Sequence, residues 1–380
     1  MLNGASNKMN FEQGWYVPAL RWKQGEKEAL GWLGNSAKSR ITPLIELIPK
    51  NFKNTKGKRI SAKRGIAKFI DELGQFWGDR SVFVDLHNVV ESGVRAPKNQ
   101  PHLVEMLSNA ARHSRPLIPG YFSIVPVTRL ERSSEFQLAI KSVVKADKSG
   151  VCLRLTVDEI FDRSFVSVLQ NTLEKIAVEV QECDLVIDAM YVREVKPLQE
   201  ILDAIPQLPN WRTVTFLGGA FPKDLQEYEK DSVHRITRNE WFYFREQIQL
   251  LSQGMRLPVF GDYTVQHAAY SEPPDHCNPS ASIRYAHEDC WVIMRGHGLT
   301  HKGSLGNDQY LAEAQLLCGM DEYCGEEFSQ GDEYISSSWK NKNKGTPRTW
   351  IRAGINHHME FVSSQVKDFA ETPRKIRRRA

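Results

Sequence analysis

Eight short apolar segments recur along the first 270 or so residues, and most are followed by a longer segment with helical spacing. Runs rich in Val, Ile and Leu between polar residues are typical of buried parallel strands. Their alternation with amphipathic helices indicates an α/β fold. The predicted strands are Tyr16–Arg21, Thr42–Leu47, Ser81–Leu86, Ser123–Thr128, Val151–Leu155, Asp184–Ala189, Thr213–Leu217 and Leu257–Asp262.

Eight predicted helices precede or separate these strands. They are Glu26–Leu33, Ser61–Phe76, Pro101–Arg112, Ser134–Ala146, Ser164–Glu182, Lys196–Ile205, Pro222–Glu229 and Glu240–Leu250. Eight strand and helix units predict a TIM-barrel-like (β/α)8 fold over residues 1–270, because such barrels need ~250 residues. An open doubly wound sheet gives the same local pattern and is the alternative.

The alternation of predicted strands and helices ends after Asp262. Ala281–Ala286 and Cys290–Arg295 predict an antiparallel ribbon, and Thr349–Phe369 has the spacing of a closing helix. Residues 271–380 are therefore interpreted as a C-terminal ribbon and helix extension packed on the barrel.

Composition restricts the ligands and the cellular compartment that we expect for the protein. The net charge is only +4, too small to imply nucleic-acid binding by itself. Six cysteines are few for 380 residues and fit a reducing cytoplasm. No basic and apolar leader precedes Gly14, and no window approaches ~18 uninterrupted apolar residues, so we expect a cytoplasmic protein without a membrane span.

Eight short strings occur in order along most of the chain. They are YVPALRWKQGEKEAL at Tyr16–Leu30, PLIEL at Pro43–Leu47, GGAFP at Gly218–Pro222, RNEW at Arg238–Trp241, FGDY at Phe260–Tyr263, IRYAHEDCWVIMRG at Ile283–Gly296, FSQGDEYI at Phe328–Ile335 and TWIRAGINHHMEFV at Thr349–Val362. In these strings the chain resembles the beta protein family of bacteria and bacteriophages. The resemblance implies an association with phage exclusion or antiviral defence, and it implies no catalytic residue.

Carboxylates stand at the ends of several predicted strands, where α/β barrels bind their ligands. Glu46, Asp85, Asp188 and Asp262 are expected to converge on one mouth, and crowded carboxylates repel unless a cation neutralises them. Mg²⁺ or Mn²⁺, held by Glu46, Asp85 and Asp262, would suit these oxygen ligands. The alternative is a buried ionic layer in which basic neighbours such as Lys23, Arg154 and Arg238 pair with the carboxylates and fix the barrel.

Basic and glycine residues suggest a place for phosphate. The turn Gly218–Gly219, followed by a predicted helix at Pro222, could present backbone N–H groups to an anion, although two glycines alone favour an ordinary tight turn. The predicted ligand-binding residues are Arg21, Arg154, Gly218, Gly219, Arg238, Arg284, Tyr285 and Arg295.

His357 and His358 lie near the start of the last predicted helix. Adjacent helical side chains differ by ~100° in direction, so at most one of them faces a given site. His357 is a candidate general acid or base oriented by Asp332 or Asp85, and its alternative role is helix packing. The predicted catalytic residues are Lys23, Glu46, Asp85, Asp188, Asp262 and His357.

Two functional hypotheses follow. The first is a metal-dependent phosphoesterase or nuclease that acts on nucleic acid or nucleotides at the barrel mouth, with Lys340–Lys344 and the basic tail at 374–379 as further phosphate contacts. The second is a non-catalytic recognition or regulatory module that binds a phage component or a partner protein from a neighbouring defence gene, through its mouth and its aromatic C-terminal part.

Overall fold

The computed structural model describes residues 11–96, 100–114, 124–271, 278–300 and 303–372. Its strands are β1 Tyr16–Arg21, β2 Leu44–Glu46, β3 Val82–Asp85, β4 Ile124–Thr128, β5 Val151–Thr156, β6 Cys183–Tyr191, β7 Thr213–Gly219, β8 Ser232–Thr237, β9 Val259–Asp262, β10 Ser280–His287 and β11 Cys290–Gly298. Eight of them, β1 to β7 and β9, close into a parallel barrel. The predicted (β/α)8 barrel is confirmed, and the open-sheet alternative is wrong because β1 also pairs with β9.

Helices surround the barrel and form much of the extension. They are α1 Gln24–Gly31, α2 Asn35–Lys38, α3 Ala62–Phe76, α4 His87–Glu91, α5 Leu103–Ser114, α6 Ser134–Asp147, α7 Val157–Ile160, α8 Phe165–Ile176, α9 Leu198–Asp203, α10 Asn239–Leu250, α11 Gln309–Cys318, α12 Gln330–Lys340 and α13 Pro347–Glu371. Local signals set several starts: the Ser61 and Ser133 side chains accept hydrogen bonds from Arg64 N and Phe136 N.

The helix predicted at Pro222–Glu229 is wrong, since this segment contains only turns and bends. The guanidinium of Arg295 on β11 donates hydrogen bonds to the carbonyl oxygens of Gln226 and Tyr228. These contacts to a strand of the extension hold the segment in an irregular conformation, although Pro222 suits a first helical turn.

Side chains of the barrel strands alternate between two apolar clusters. The inner cluster fills the barrel and includes Val17, Leu44, Phe83, Val186 and Leu217. The outer cluster lies between the strands and the helices, where α3 contributes Ile66, Phe69, Ile70 and Leu73 from one face. The parity of a residue along its strand therefore decides whether it points into the barrel or toward the helices.

The extension is a three-stranded antiparallel sheet, in the order β10, β11, β8, covered by α11, α12 and α13. The predicted ribbon is confirmed as β10 and β11. Sequence analysis missed β8, which leaves the barrel between β7 and β9 and pairs with β11. The sheet therefore draws strands from both sides of the predicted boundary at residue 270. None of the described helices is both long and apolar enough to cross a membrane.

Candidate functional site

The carboxyl ends of the strands bring together a layer of charged side chains at the barrel mouth. Glu46, Asp85 and Asp188, from β2, β3 and β6, surround the guanidinium of Arg154 from β5. The donor to acceptor distances are 2.8 Å to Glu46, 3.0 Å to Asp85 and 2.8 Å to Asp188. Arg154 is 2% exposed, so this contact is sealed from water.

Five of the six oxygens of these three carboxylates accept hydrogen bonds, and the sixth is in ion-pair contact with Arg21. In Glu46, one oxygen bonds to Arg154 and the other lies 3.5 Å from Nε of Arg21. In Asp85, one oxygen accepts from the backbone N–H of His87 at 2.8 Å and the other contacts Arg129 and Arg154, each at 3.0 Å.

In Asp188, one oxygen accepts from the backbone N–H of Met190 at 2.8 Å and the other from Arg154. The hydroxyl of Tyr263 lies 2.8 Å and 2.7 Å from the two oxygens of Asp188, and it also accepts from Arg154 at 2.7 Å. Three arginines, Arg21, Arg129 and Arg154, thus balance three carboxylates.

Electrostatics keeps Asp85 ionised. Burial acts to raise the pKa of Asp85, but the guanidinium groups of Arg129 and Arg154 outweigh it and hold that pKa well below its usual range. Asp85 therefore stays a carboxylate throughout the neutral range, paired with two permanent cations.

The segment after β9 packs against the mouth. Arg21 donates hydrogen bonds to the carbonyl oxygens of His267 and Ala268 at 2.8 Å and 2.7 Å. Ala268 itself joins the inner apolar cluster. Lys23, at the start of α1, lies 5.7 Å from the ring centroid of Tyr270, and burial, together with nearby arginines, lowers its pKa.

Asp262 does not share the mouth, contrary to expectation. Like Phe260 two positions earlier in β9, Asp262 points out of the barrel toward the helices. Its carboxylate accepts a hydrogen bond from the Tyr16 hydroxyl at 2.5 Å and lies 2.8 Å from Nε2 of His358. Burial lowers the pKa of His358 despite this partner, so Nε2 of the neutral ring donates to the carboxylate. Because Asp262 and Glu46 face opposite sides of the strand layer, the predicted metal set Glu46, Asp85 and Asp262 is not assembled.

Arg238 lies on this outer side, at the junction of barrel and extension. It is fully buried and bonds to Gln365 Oε1 at 2.9 Å and to the carbonyl oxygen of Glu288 at 2.8 Å. Its Nε is 3.4 Å from Glu240, whose pKa burial raises to about 7. Its guanidinium also lies over Trp291, 5.3 Å from the ring centroid. Arg238 therefore ties α10, β11 and α13 together.

His357 and Tyr285 lie in a separate buried network inside the extension. Nδ1 of His357 is 2.8 Å from Asp332, as expected, and Nε2 is 2.8 Å from the carbonyl oxygen of Ala286. Both ring nitrogens therefore face hydrogen-bond acceptors. Tyr285 stacks on the ring at 3.6 Å and donates to Asp332 at 2.7 Å. This arrangement matches the helix-packing alternative.

The remaining predicted ligand residues are dispersed. Gly218 and Gly219 end β7 in a buried position, and the carbonyl oxygen of Gly219 accepts from Val192 N at 2.7 Å. The segment after them is not helical, so no helix N-terminus follows the turn. Arg284 bonds to the carbonyl oxygen of Val265 at 2.9 Å. Arg295 holds the irregular segment after β7, as described above.

Metal binding by these residues has no direct support. Across the parts of the chain that the structure describes, no group of three or more His, Cys, Asp or Glu side chains has an arrangement that could hold a metal ion. Of the lysines proposed as phosphate contacts, Lys340 and Lys344 pair with Glu326 and Asp308. The tail at 374–379 lies outside the described residues.

Sequence reasoning missed three partners in these networks: Tyr263, His358 and Tyr16. The alternation of β9 carried a usable signal, since Val259 and Tyr263 share the inward parity whereas Phe260 and Asp262 share the outward one. The choice of His358 as the partner of Asp262 depends on the rotation of α13, which no local pattern fixes.

Fold and site together define a class: a closed (β/α)8 barrel, locked at its mouth by a buried ionic layer and extended by an antiparallel sheet with covering helices. A family model described as Beta protein matches residues 16–364. The chain therefore belongs to the Beta protein family. A comparison with curated proteins found no match.

Proposed function

We propose that this chain is a recognition protein, in which the barrel is a rigid scaffold and the surface around its carboxyl face binds a phage component or another macromolecule. The observation that carries the proposal is that each carboxylate oxygen at the mouth already accepts a hydrogen bond or contacts an arginine as an ion pair. A catalytic carboxylate needs a free oxygen in reach of a substrate or metal.

The carboxylates of the mouth have neither a free oxygen nor an exposed position. Arg154 holds Glu46, Asp85 and Asp188, and each of the four residues is 5% exposed or less. To bind a metal, the carboxylates would have to release a permanent cation that remains buried beside them, which is strongly unfavourable. The structural alternative for these charges is therefore the one that the geometry favours.

The phosphoesterase hypothesis stays a prediction, and one experiment decides between it and the recognition proposal. Purified protein is incubated with single-stranded DNA, duplex DNA, RNA and nucleotides, each with and without Mg²⁺ or Mn²⁺. The Asp85→Asn variant is treated identically, and its unfolding by urea is measured alongside.

We expect no turnover with any substrate, together with a lower free energy of unfolding for Asp85→Asn. A metal-dependent reaction that the variant loses, with its stability unchanged, would overturn the recognition proposal and return the mouth to catalysis. An association with antiviral defence, which the family resemblance implies, would fit either outcome.

A further inference from the structure

Residues 47–70 form a strongly basic segment of the part of the chain that the structure describes. This segment has eight basic residues and no acidic one, whereas the whole chain has a net charge of +4, so the remainder is net negative. The basic residues are Lys50, Lys53, Lys56, Lys58, Arg59, Lys63, Arg64 and Lys68.

The fold places this segment at the carboxyl face of the barrel, because it connects the end of β2 to α3. Its tip is a defined turn: Lys53 pairs with Arg59 as an antiparallel bridge, and Asn54 Oδ1 accepts from Lys56 N at 3.0 Å and Lys58 N at 2.9 Å. Gly57 has a φ of +74°, which glycine adopts without strain.

The segment is also anchored beneath its tip. Phe52 is 1% exposed within the outer core, and Asn51 Nδ2 donates to the carbonyl oxygen of Trp22 at 2.7 Å. The lysines therefore project from an ordered base, which lowers the entropy cost of holding them against a ligand.

Acidic side chains do not neutralise this segment. Among the described residues its one ion pair joins Lys68 to Glu72 at 3.7 Å, and the tip residues Lys56 and Lys58 are exposed. Lys63 and Arg64 occupy the first turn of α3, where the helix dipole disfavours cations. Mutual repulsion and an unfavourable dipole are both relieved by a bound polyanion.

Neighbouring loops extend the charge around the mouth. Arg59 donates to the carbonyl oxygen of Ser92, after α4, at 3.2 Å, and the exposed Arg95 follows close in sequence. We call residues 50–64 together with Arg95 the basic surface.

We infer that the basic surface binds the phosphate backbone of a nucleic-acid duplex. The inference deepens the proposed recognition function, on which it rests, by naming the class of ligand. Phosphate contacts of this kind give affinity without base readout.

Two observations favour a duplex over other polyanions. Single strands are bound through exposed aromatic platforms, but Phe52 and Phe69 in this segment are buried. Anionic membranes attract basic surfaces that also present apolar side chains, and within residues 47–70 no large apolar side chain is exposed.

The test compares the full-length protein with two double charge-reversal variants, Lys56→Glu with Lys58→Glu at the tip, and Lys141→Glu with Lys145→Glu as a matched control on α6. All four lysines are exposed, and both variants change the net charge equally. Fluorescence anisotropy measures binding to a duplex, to the corresponding single strand and to vesicles containing phosphatidylserine, over a series of salt concentrations.

We expect the tip variant to bind the duplex about tenfold more weakly or worse, with a salt slope shallower by about 2, because each phosphate contact contributes about one unit of slope. The control variant should bind more nearly like the wild-type protein. Thermal unfolding should show that both variants remain folded.

Three results would overturn the inference: equal weakening by both variants, stronger binding to the single strand, or binding to vesicles instead of duplex. These outcomes concern binding alone. Turnover of a bound duplex in the presence of Mg²⁺ or Mn²⁺ would instead contradict the recognition proposal. In that case the basic surface would be the substrate-binding surface of an enzyme.

Discussion

At the residue scale, the mouth depends on Arg154. One planar guanidinium reaches carboxylates from three different strands, and its fork of N–H groups suits such multiple contacts. Burial of so many charges is expensive, and the layer is stable only while each charge retains its partners. The arrangement therefore makes the barrel sensitive to loss of a single side chain.

We predict that Arg154→Met destabilises the protein by about 3–5 kcal/mol. Methionine keeps an unbranched apolar side chain but carries no charge, so Glu46, Asp85 and Asp188 would lose their shared cation in a buried site. Urea unfolding followed by circular dichroism measures the loss.

Arg245→Met is the matched control, because Arg245 pairs with Asp289 near the surface, where its side chain is 31% exposed. Such a pair contributes about 1 kcal/mol or less. If both variants lost the same free energy of unfolding, the buried ionic layer would not stabilise the barrel more than a surface ion pair does.

The residues of the mouth were largely predictable, but their roles were not. Position at a strand end correctly predicted that Glu46, Asp85, Arg154 and Asp188 would meet. It was wrong for Asp262, because strand-end position ignores the alternation that turns this side chain outward. Whether carboxylates bind a metal or an arginine depends on side-chain geometry across several strands, which no single segment encodes.

At the scale of elements, α13 organises the extension. This helix packs against β10, α1 and α12. Gly354 lies where α13 approaches β10, and a Cβ built at this glycine would be 2.5 Å from the carbonyl oxygen of Arg284. The absence of a side chain therefore sets the distance between helix and sheet.

We predict that Gly354→Ala destabilises the protein by about 1–3 kcal/mol, because the added methyl group overpacks a contact with backbone. The expected sign is opposite to that of intrinsic propensity, since alanine is favoured over glycine in a helix by about 1 kcal/mol. Thermal or urea unfolding gives the answer.

Gly319→Ala serves for comparison, because a Cβ there would meet its nearest neighbours at an ordinary 3.5 Å and the backbone is right-handed. This change should be nearly neutral. A Gly354→Ala protein as stable as the wild type would show that α13 can shift away from β10 without loss.

Element prediction succeeded where periodicity was local and failed where distant contacts decided. The barrel strands and most helices agree with their patterns. The failed helix at Pro222–Glu229 and the missed strand β8 occupy the same connection between β7 and β9, and both depend on β11: Arg295 holds the first, and β-pairing recruits the second. A segment shaped by pairing with residues about 60 positions away carries little signal of its own.

At the scale of the whole molecule, barrel and extension share one core. The outer apolar cluster contains Tyr16 and Leu30 from the barrel side together with Trp291, Ile355 and Met359 from the extension. A hydrogen bond from His358 Nε2 to the carboxylate of Asp262 crosses the same junction. The two parts are thus joined by burial and by polar contacts, and by the strand β8.

We therefore predict that the intact chain unfolds in a single transition and that a chain truncated after Tyr270 does not fold. Truncation would expose the apolar face around Tyr16 and would remove His358, the partner of Asp262. It would also remove β11, the strand with which β8 pairs. Near- and far-ultraviolet circular dichroism should give coincident urea transitions for the intact protein, and the truncated chain should lack a cooperative one. Two separate transitions, or a stable truncated barrel, would instead identify the extension as an independent domain added to a self-sufficient barrel.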